Sequence, residues 1–190
     1  MSSNTAEREL FDRFTSAFQD HLRKLISEPN SRVVGFKSII CYRTGLDVSL
    51  SDPPGIVISA FRDVLFLHRQ ADSVRLQHKP LNDYILRLAL EVCKETGKPS
   101  TYNARRRSKI LELILTVQFH TGLGDNDLSL KLASPALLQP LIKAYPQVKF
   151  VLLHASYPFT REAGYLTSVY SNVFLDVGEA SYTTVPFSLS

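Results

Sequence analysis

Apolar residues recur at spacings of three and four along the N-terminal part of the chain, which is the period of an amphipathic helix. The series consists of Leu10, Phe11, Phe14, Phe18, Leu22, Leu25 and Ile26. It predicts a helix over residues 6–28, ended by the sequence Glu28–Pro29–Asn30. Similar patterns predict further helices, and these cover residues 57–69, 81–96, 134–145 and 159–170.

Nearly continuous apolar runs of strand length alternate with these helices. They cover residues 33–41, 115–120, 148–154 and 173–177. Such runs are typical of strands that are covered on both faces, as in a parallel sheet. The alternation of strand and helix from residue 33 onward therefore predicts βαβ units and an α/β fold.

The composition is that of an ordinary globular protein, with 44% hydrophobic residues in a chain of 190. We therefore expect residues 1–190 to form a single domain. The sequence has neither an apolar run long enough to span a membrane nor the apolar core of a secretory signal. Two cysteines, Cys41 and Cys93, are too few for a disulfide framework, so we expect both to pack in the core of a cytoplasmic protein.

The net charge of +4 invites the hypothesis of a nucleic-acid partner. The positive residues are concentrated within 100–116, where Glu112 is the lone acid, and they are Arg105, Arg106, Arg107 and Lys109. No aromatic residues are interleaved with this short cluster. Because the patch is so local, we expect no nucleic-acid partner.

Histidines end two of the predicted strands, as Phe119–His120–Thr121 and Leu153–His154–Ala155. In parallel α/β folds, ligands gather outside the carboxyl ends of the strands. Imidazole is a good ligand for zinc and similar divalent ions, so the pair predicts a shared metal site. The alternative is that each histidine is a hydrogen-bonded residue at a strand end.

Three further charged residues are candidates for chemistry. Lys37 interrupts an apolar strand, which fits a catalytic or carboxylated lysine, or one that is paired or extends its stem outward. Arg43 follows the same strand and is suited to bind a substrate carboxylate or phosphate, or to pair at the rim. Asp176 follows the apolar residues of the last strand, as a site carboxylate or an outward polar residue.

The loop Gly122–Leu123–Gly124–Asp125–Asn126–Asp127 follows His120 directly. It lacks the spacing of a dinucleotide-binding loop, and its acidic residues would repel a phosphate. We expect Gly122 and Asp125 to contact substrate. The alternative is that the aspartates of this loop cap the next helix.

Four stretches of this chain together resemble the amidohydrolase-related family. More closely, they resemble the amidohydrolase-like half of fungal fluG-type and plant nodulin/glutamine-synthetase-like proteins. The stretches are Val34–Gly35–Phe36–Lys37–Ser38, Tyr42–Arg43–Thr44–Gly45–Leu46, Phe119–His120–Thr121–Gly122–Leu123–Gly124–Asp125–Asn126–Asp127 and Leu152–Leu153–His154–Ala155–Ser156–Tyr157–Pro158.

The resemblance implies part of a (β/α)8 TIM barrel of the metal-dependent hydrolase type, from about the fourth to the seventh strand. It implies His120 and His154 as ligands of a divalent metal, with zinc favoured, and places Lys37 on the fourth strand. It also implies hydrolysis of amide-like or ester-like bonds of a small molecule by metal-activated water.

The chain also departs from the family that it resembles. The family's first strand carries a His-x-His pair and its last strand carries an aspartate, and we expect both to lie outside this chain. Residues 100–116 and 180–190 do not resemble the family, and we expect them to be an insertion and a foreign tail. The alternative function is therefore a catalytically inactive fragment or an interaction domain, and open sheet edges favour a homo-oligomer.

Overall fold

The computed structural model describes residues 3–71, 74–96 and 115–178. The chain divides into two compact units. The helical unit comprises residues 1–35 and 49–115, and the sheet unit comprises residues 36–48 and 116–190. The expected single domain over residues 1–190 stays a prediction.

Three helices form the described part of the helical unit. They are α1 (Ser3–Ser27), α2 (Pro54–Gln70) and α3 (Lys79–Thr96), and they confirm the helices predicted from the apolar spacing. Helix α2 begins at Pro54, where the fixed backbone angle of proline suits the first helical turn and its missing N–H costs no hydrogen bond.

The core of the helical unit lies where the apolar faces of these helices meet. Its buried residues are Phe11, Val57, Ala60, Phe61 and Leu81. The ring of Phe11 meets that of Phe61 edge to face, with centroids 5.3 Å apart, and lies 5.1 Å from that of Tyr84. The series of phenylalanines in α1 therefore forms an aromatic cluster with α2 and α3.

The start of the loop before α2 is held by polar contacts to α3. The buried carboxylate of Asp83 accepts hydrogen bonds from the amide of Ser49 at 2.9 Å and the ammonium of Lys79 at 2.6 Å. Arg87 forms an ion pair with Asp52 at 2.9 Å. Burial raises the pKa of Asp83, and the bond from Lys79 opposes that change.

The sheet has four described strands in the order β1, β2, β3, β4. They are β1 (Gly35–Ser38), β2 (Thr116–Phe119), β3 (Lys149–Leu152) and β4 (Val173–Leu175). The pairs β2–β3 and β3–β4 are parallel, with Phe119 opposite Leu152 and Leu152 opposite Leu175. The predicted α/β fold with a parallel sheet is confirmed.

Two predicted elements contain 3-10 segments that the sequence pattern did not predict. The strand predicted over 33–41 ends at Ser38, and Ile40–Tyr42 form a 3-10 turn. The helix predicted over 134–145 begins as a 3-10 segment, Pro135–Leu138, and becomes the α-helix α4 only over Gln139–Ala144. Pro140 explains the second difference, because proline has no N–H for a helical hydrogen bond and is tolerated only in the first turn.

Side chains of the central strands alternate between two environments. Val117 and Phe119 of β2 are buried, as are Phe150 and Leu152 of β3, whereas Gln118 is exposed. Helix α5 (Thr160–Val169) lies between β3 and β4 in the chain and packs against β4. A further 3-10 segment, Leu130–Ala133, follows the loop after β2.

Both cysteines are buried, as predicted, with Cys41 3% and Cys93 2% exposed. Burial raises the pKa of each thiol to about 12, so both stay protonated at neutral pH and are poor metal ligands or nucleophiles. Residues 100–114 of the expected insertion, which include its basic cluster, lie outside the described residues. The expected tail, 180–190, also lies outside them. Among the described helices, none has the length and apolar character needed to cross a membrane.

We predict that Phe11→Ala destabilises the protein far more than Phe66→Ala. Phe11 is 6% exposed within the aromatic cluster, so its loss should lower the free energy of unfolding by about 3–5 kcal/mol. Phe66 is 59% exposed on α2, and its replacement should change that free energy by about 0.5 kcal/mol. Urea denaturation followed by circular dichroism measures both, and equal losses would contradict the described core.

Candidate metal centre

His120 lies directly after β2 and is held by its backbone and by its ring. Its amide donates to the carbonyl of Ser38 at 3.1 Å, and its side-chain Nε2 hydrogen-bonds to the carbonyl of Leu123. The ring of Tyr42 lies 4.4 Å from the imidazole, centroid to centroid. With 8% of its surface exposed, His120 is a buried polar residue with a fixed ring orientation.

His154 begins a left-handed turn, which we define as His154–Ser156. The φ angles of its three residues are +62°, +50° and +54°. Residues other than glycine rarely adopt this backbone conformation. The amide of His154 donates to Oδ2 of Asp176 at 3.1 Å, and the amide of Ala155 donates to the Asp176 carbonyl at 2.7 Å. The end of β4 therefore supports the turn from one side.

The two imidazoles meet edge to face at the end of the sheet. Nε2 of His154 lies 3.1 Å from Nδ1 of His120, and the ring centroids are 4.7 Å apart. Because the carbonyl of Leu123 only accepts, Nε2 of His120 carries a proton, which leaves Nδ1 as the acceptor in the neutral ring. With His120 neutral, Nε2–H of His154 is the donor of this contact.

Asp176 supports the turn through its carboxylate, which does not contact either imidazole in the described hydrogen bonds. Its Oδ1 accepts the amide of Gly178 at 3.0 Å, and its Oδ2 accepts the amide of His154. The bond from Gly178, followed by that from His154, lowers the pKa of Asp176. The structure therefore places this candidate next to the histidine pair, and its catalytic role stays a prediction.

Two buried hydroxyl groups link the segment after His120 to the left-handed turn. Thr121 and Ser156 are both fully buried, and their hydroxyl oxygens lie 2.8 Å apart. Thr121 also donates to the carbonyl of Leu153 at 2.9 Å. Sequence reasoning did not identify these residues, nor Tyr42, as part of the site, although all three lie within the motifs that carry the family resemblance.

Gly122 lies against the same turn with a φ of +66°. A Cβ at this position would overlap the carbonyl oxygens of Ser156 and Tyr157. Two constraints therefore require glycine at this position: the left-handed backbone conformation and the close approach of the turn. This gives Gly122 a structural role, and the expected substrate contact stays a prediction.

No described hydrogen bond joins the side chains of the other candidate residues to the histidine pair. Lys37 is exposed on β1, and Arg43 is half-buried directly after the 3-10 turn that carries Tyr42. Asp125 is exposed, and its Oδ1 accepts the amide of Asp127 at 3.0 Å within the loop. That contact closes a turn and does not cap a helix, since the next 3-10 segment begins at Leu130. Their functional roles stay predictions.

The histidine pair fits two ligands of a divalent metal. Two nitrogens bound to a tetrahedral zinc at about 2.0–2.1 Å are about 3.3 Å apart, close to the 3.1 Å observed here. The bond from His120 to the Leu123 carbonyl is of the kind that orients a metal-binding histidine through its other ring nitrogen. Within the described residues, no group of three or more His, Cys, Asp and Glu side chains converges on such a site.

Comparisons with known proteins connect this geometry to a family. Residues 103–188 match the Amidohydrolase family. Protein fluG of Emericella nidulans is 43% identical over 180 residues, which make up 94% of this chain and 19% of fluG. The range matched by the family, 103–188, runs through most of both segments expected to be foreign to it. Their origin stays a prediction.

A solved structure also resembles this chain. It is described as a metal-dependent hydrolase from Lactobacillus casei ATCC 334, and it matches with a TM-score of 0.66 and 31% sequence identity. The match covers 85% of this chain and 37% of the hydrolase. The chain thus shares the fold of one part of that solved structure and spans less than half of either relative.

We predict that Gly122→Ala lowers the free energy of unfolding by about 2 kcal/mol or more, because it combines a left-handed backbone with a backbone overlap. Gly164→Ala is the matched control, since a Cβ there meets nothing within 4 Å and Gly164 lies inside α5. The control should stabilise the protein by about 0.5–1 kcal/mol. Thermal unfolding of the two variants measures the contrast, and a neutral Gly122→Ala would contradict the described approach of the turn.

We also predict that the effect of Asp176→Asn depends on pH. The lowered pKa of Asp176 means that its charged form stabilises the folded chain above the ordinary value of about 3.9. This stabilisation is lost as the pH falls through the lowered folded value. Asp176→Asn should therefore cost roughly 1–2 kcal/mol at pH 7 and much less near pH 2. Unfolding by urea across this range measures the difference, and a constant difference would show that the carboxylate charge is irrelevant.

Proposed function

We propose, since this chain belongs to the amidohydrolase family, that it is part of a metal-dependent hydrolase in which His120 and His154 are two ligands of a divalent ion. The substrate class is a small molecule with an amide-like or ester-like bond. Zinc is the ion that we favour, because imidazole nitrogens suit it well. When bound, such an ion polarises a carbonyl group and lowers the pKa of a water molecule.

The observation that carries this proposal is the geometry of the histidine pair. Two imidazole nitrogens from neighbouring strands face each other at 3.1 Å, and the ring of His120 is oriented by the carbonyl of Leu123. An isolated surface histidine needs neither a buried ring nor a fixed orientation. The similarity to a solved structure that is described as a metal-dependent hydrolase supports the same proposal.

The remaining candidates have proposed roles around this pair. Arg43 would bind an anionic group of the substrate, because its guanidinium can donate two parallel hydrogen bonds. Asp176 would be a catalytic carboxylate, and it also supports the turn of His154. Lys37 would take part in catalysis only if its exposed side chain is directed to the substrate. We propose further that the protein is cytoplasmic, that it self-associates, and that it binds neither nucleic acid nor membrane.

One observation favours a second candidate function. The described residues supply two nitrogens, whereas a catalytic zinc site uses three protein ligands and an open position. A chain that retains the histidine pair without a complete ligand set would be an inactive domain with an interaction role. A metal-loaded, folded chain that fails to hydrolyse any of a panel of aryl esters and anilides would favour this alternative.

Metal binding tests the proposed ligands directly. The chain is freed of metal, incubated with zinc, dialysed and measured by elemental analysis. We expect the original chain to keep about one zinc ion, and His120→Ala and His154→Ala each to lose it, because one imidazole alone holds the ion too weakly.

The matched control for this experiment is His68→Ala. His68 is an exposed histidine on α2, in the helical unit, so its loss should leave the zinc content unchanged. A folded chain that keeps no zinc would contradict the proposal, as would an equal loss in all three variants.

A further inference from the structure

The direction of the hydrogen bond between the hydroxyl groups of Thr121 and Ser156 follows from the second bond that Thr121 makes. A hydroxyl group has one proton to donate, and Thr121 gives its proton to the carbonyl of Leu153 at 2.9 Å. The proton between the two hydroxyl groups, 2.8 Å apart, therefore comes from Ser156. Ser156, Thr121 and the Leu153 carbonyl form a continuous series of hydrogen bonds.

This series joins the two segments that carry the candidate metal ligands. Thr121 follows His120 directly, and the Leu153 carbonyl belongs to the peptide bond that precedes His154. The two hydroxyl groups and the two imidazoles thus bridge the same pair of strand ends, one beside the other. A shift of the backbone at Leu153 would move the His154 ring relative to that of His120.

The hydrogen bonds of the hydroxyl pair help to hold the left-handed turn in its conformation. Three successive residues with positive φ are costly for L-amino acids, so such a turn persists only where its surroundings hold it. Asp176 holds the amides of His154 and Ala155 from the side of β4. Thr121 holds the turn from the side of β2, where the hydroxyl pair is 0% exposed and water cannot replace it.

We propose that Thr121 is a positioning residue, whose hydroxyl group fixes the left-handed turn and so sets the approach of the His154 ring to the His120 ring. Thr121 does not itself contact either imidazole in the described hydrogen bonds. The inference rests on the proposed function only for its effect on metal affinity, since the approach of the two rings can be measured by itself.

The first test measures the histidine rings themselves in the metal-free chain. Long-range ¹H–¹⁵N correlation spectra report which ring nitrogens carry protons and which accept hydrogen bonds. The original chain should show a protonated Nε2 on both rings and an accepting Nδ1 on His120. Thr121→Val keeps the shape and removes the hydroxyl, and it should shift the Nδ1 signal of His120 toward that of a solvent-exposed nitrogen. Thr121→Ser should restore the original spectrum.

A matched control separates positioning from general loss of stability. Val57→Ala removes buried side chain from the core of the helical unit, whereas the turn belongs to the sheet unit. It should lower the unfolding temperature and leave the histidine signals unchanged. The proposal is overturned if Thr121→Val also leaves them unchanged, or if Val57→Ala shifts them equally.

The second test uses cobalt or zinc alone and the same variants. Loss of a partner that orients a metal ligand typically weakens metal binding by about 10–100-fold, and we expect this for Thr121→Val but not for Thr121→Ser or Val57→Ala. A chain that binds no metal but shows the shifted histidine signals would overturn the proposed function and retain the positioning role. If Thr121→Val binds metal as tightly as the original chain does, the positioning role is overturned and the proposed function is retained.

A measurement on the original chain keeps the proposal testable if Thr121→Val does not fold. The Thr121 hydroxyl proton is buried and donated to a carbonyl, so it should exchange slowly with water and be visible by NMR with a contact to Ser156. Rapid exchange of this proton would show that the hydroxyl pair does not hold the turn, and the proposal would fall.

Discussion

The parallel ladder between β2 and β3 is the constraint on which the candidate site depends. Phe119 lies opposite Leu152, and both are fully buried, so the pairing cannot slip without exposing their side chains. Parallel strands end at the same edge of a sheet, and the residues that follow Phe119 and Leu152 are therefore brought together. His120 and His154 meet because of this register, although 34 positions separate them in the sequence.

The sequence predicted the elements well because each has a local signal. Apolar spacing identified α1, α2, α3 and α5, and apolar runs identified all four described strands. The boundary errors also have local causes: Pro140 delays α4, and the backbone leaves the extended conformation after Ser38. Periodicity reports which face of an element is buried, and it carries little information on where a turn begins.

The histidine pair could be predicted because topology alone places strand ends together, but its supporting residues could not. Tyr42, Thr121 and Ser156 act through contacts between distant segments, and none has a residue type that signals a site. Lys37 shows the converse: its position in an apolar run left both a catalytic lysine and an outward-extending one open, and its side chain is exposed on β1. The other three residues of β1 are half-buried, so an apolar run of strand length need not be covered on both faces.

The contact between the imidazoles of His120 and His154 satisfies ring nitrogens of both side chains. Each neutral ring has one donor and one acceptor, and the series from His154 to His120 to the Leu123 carbonyl satisfies the donors of both. The same bond holds the two nitrogens at 3.1 Å, near the separation that a tetrahedral ion needs. A metal would thus replace one hydrogen bond at nearly unchanged ring positions, and the affinity would not be reduced by a large rearrangement of the turn. The strained backbone of the left-handed turn is therefore best understood as the cost of holding His154 in that position.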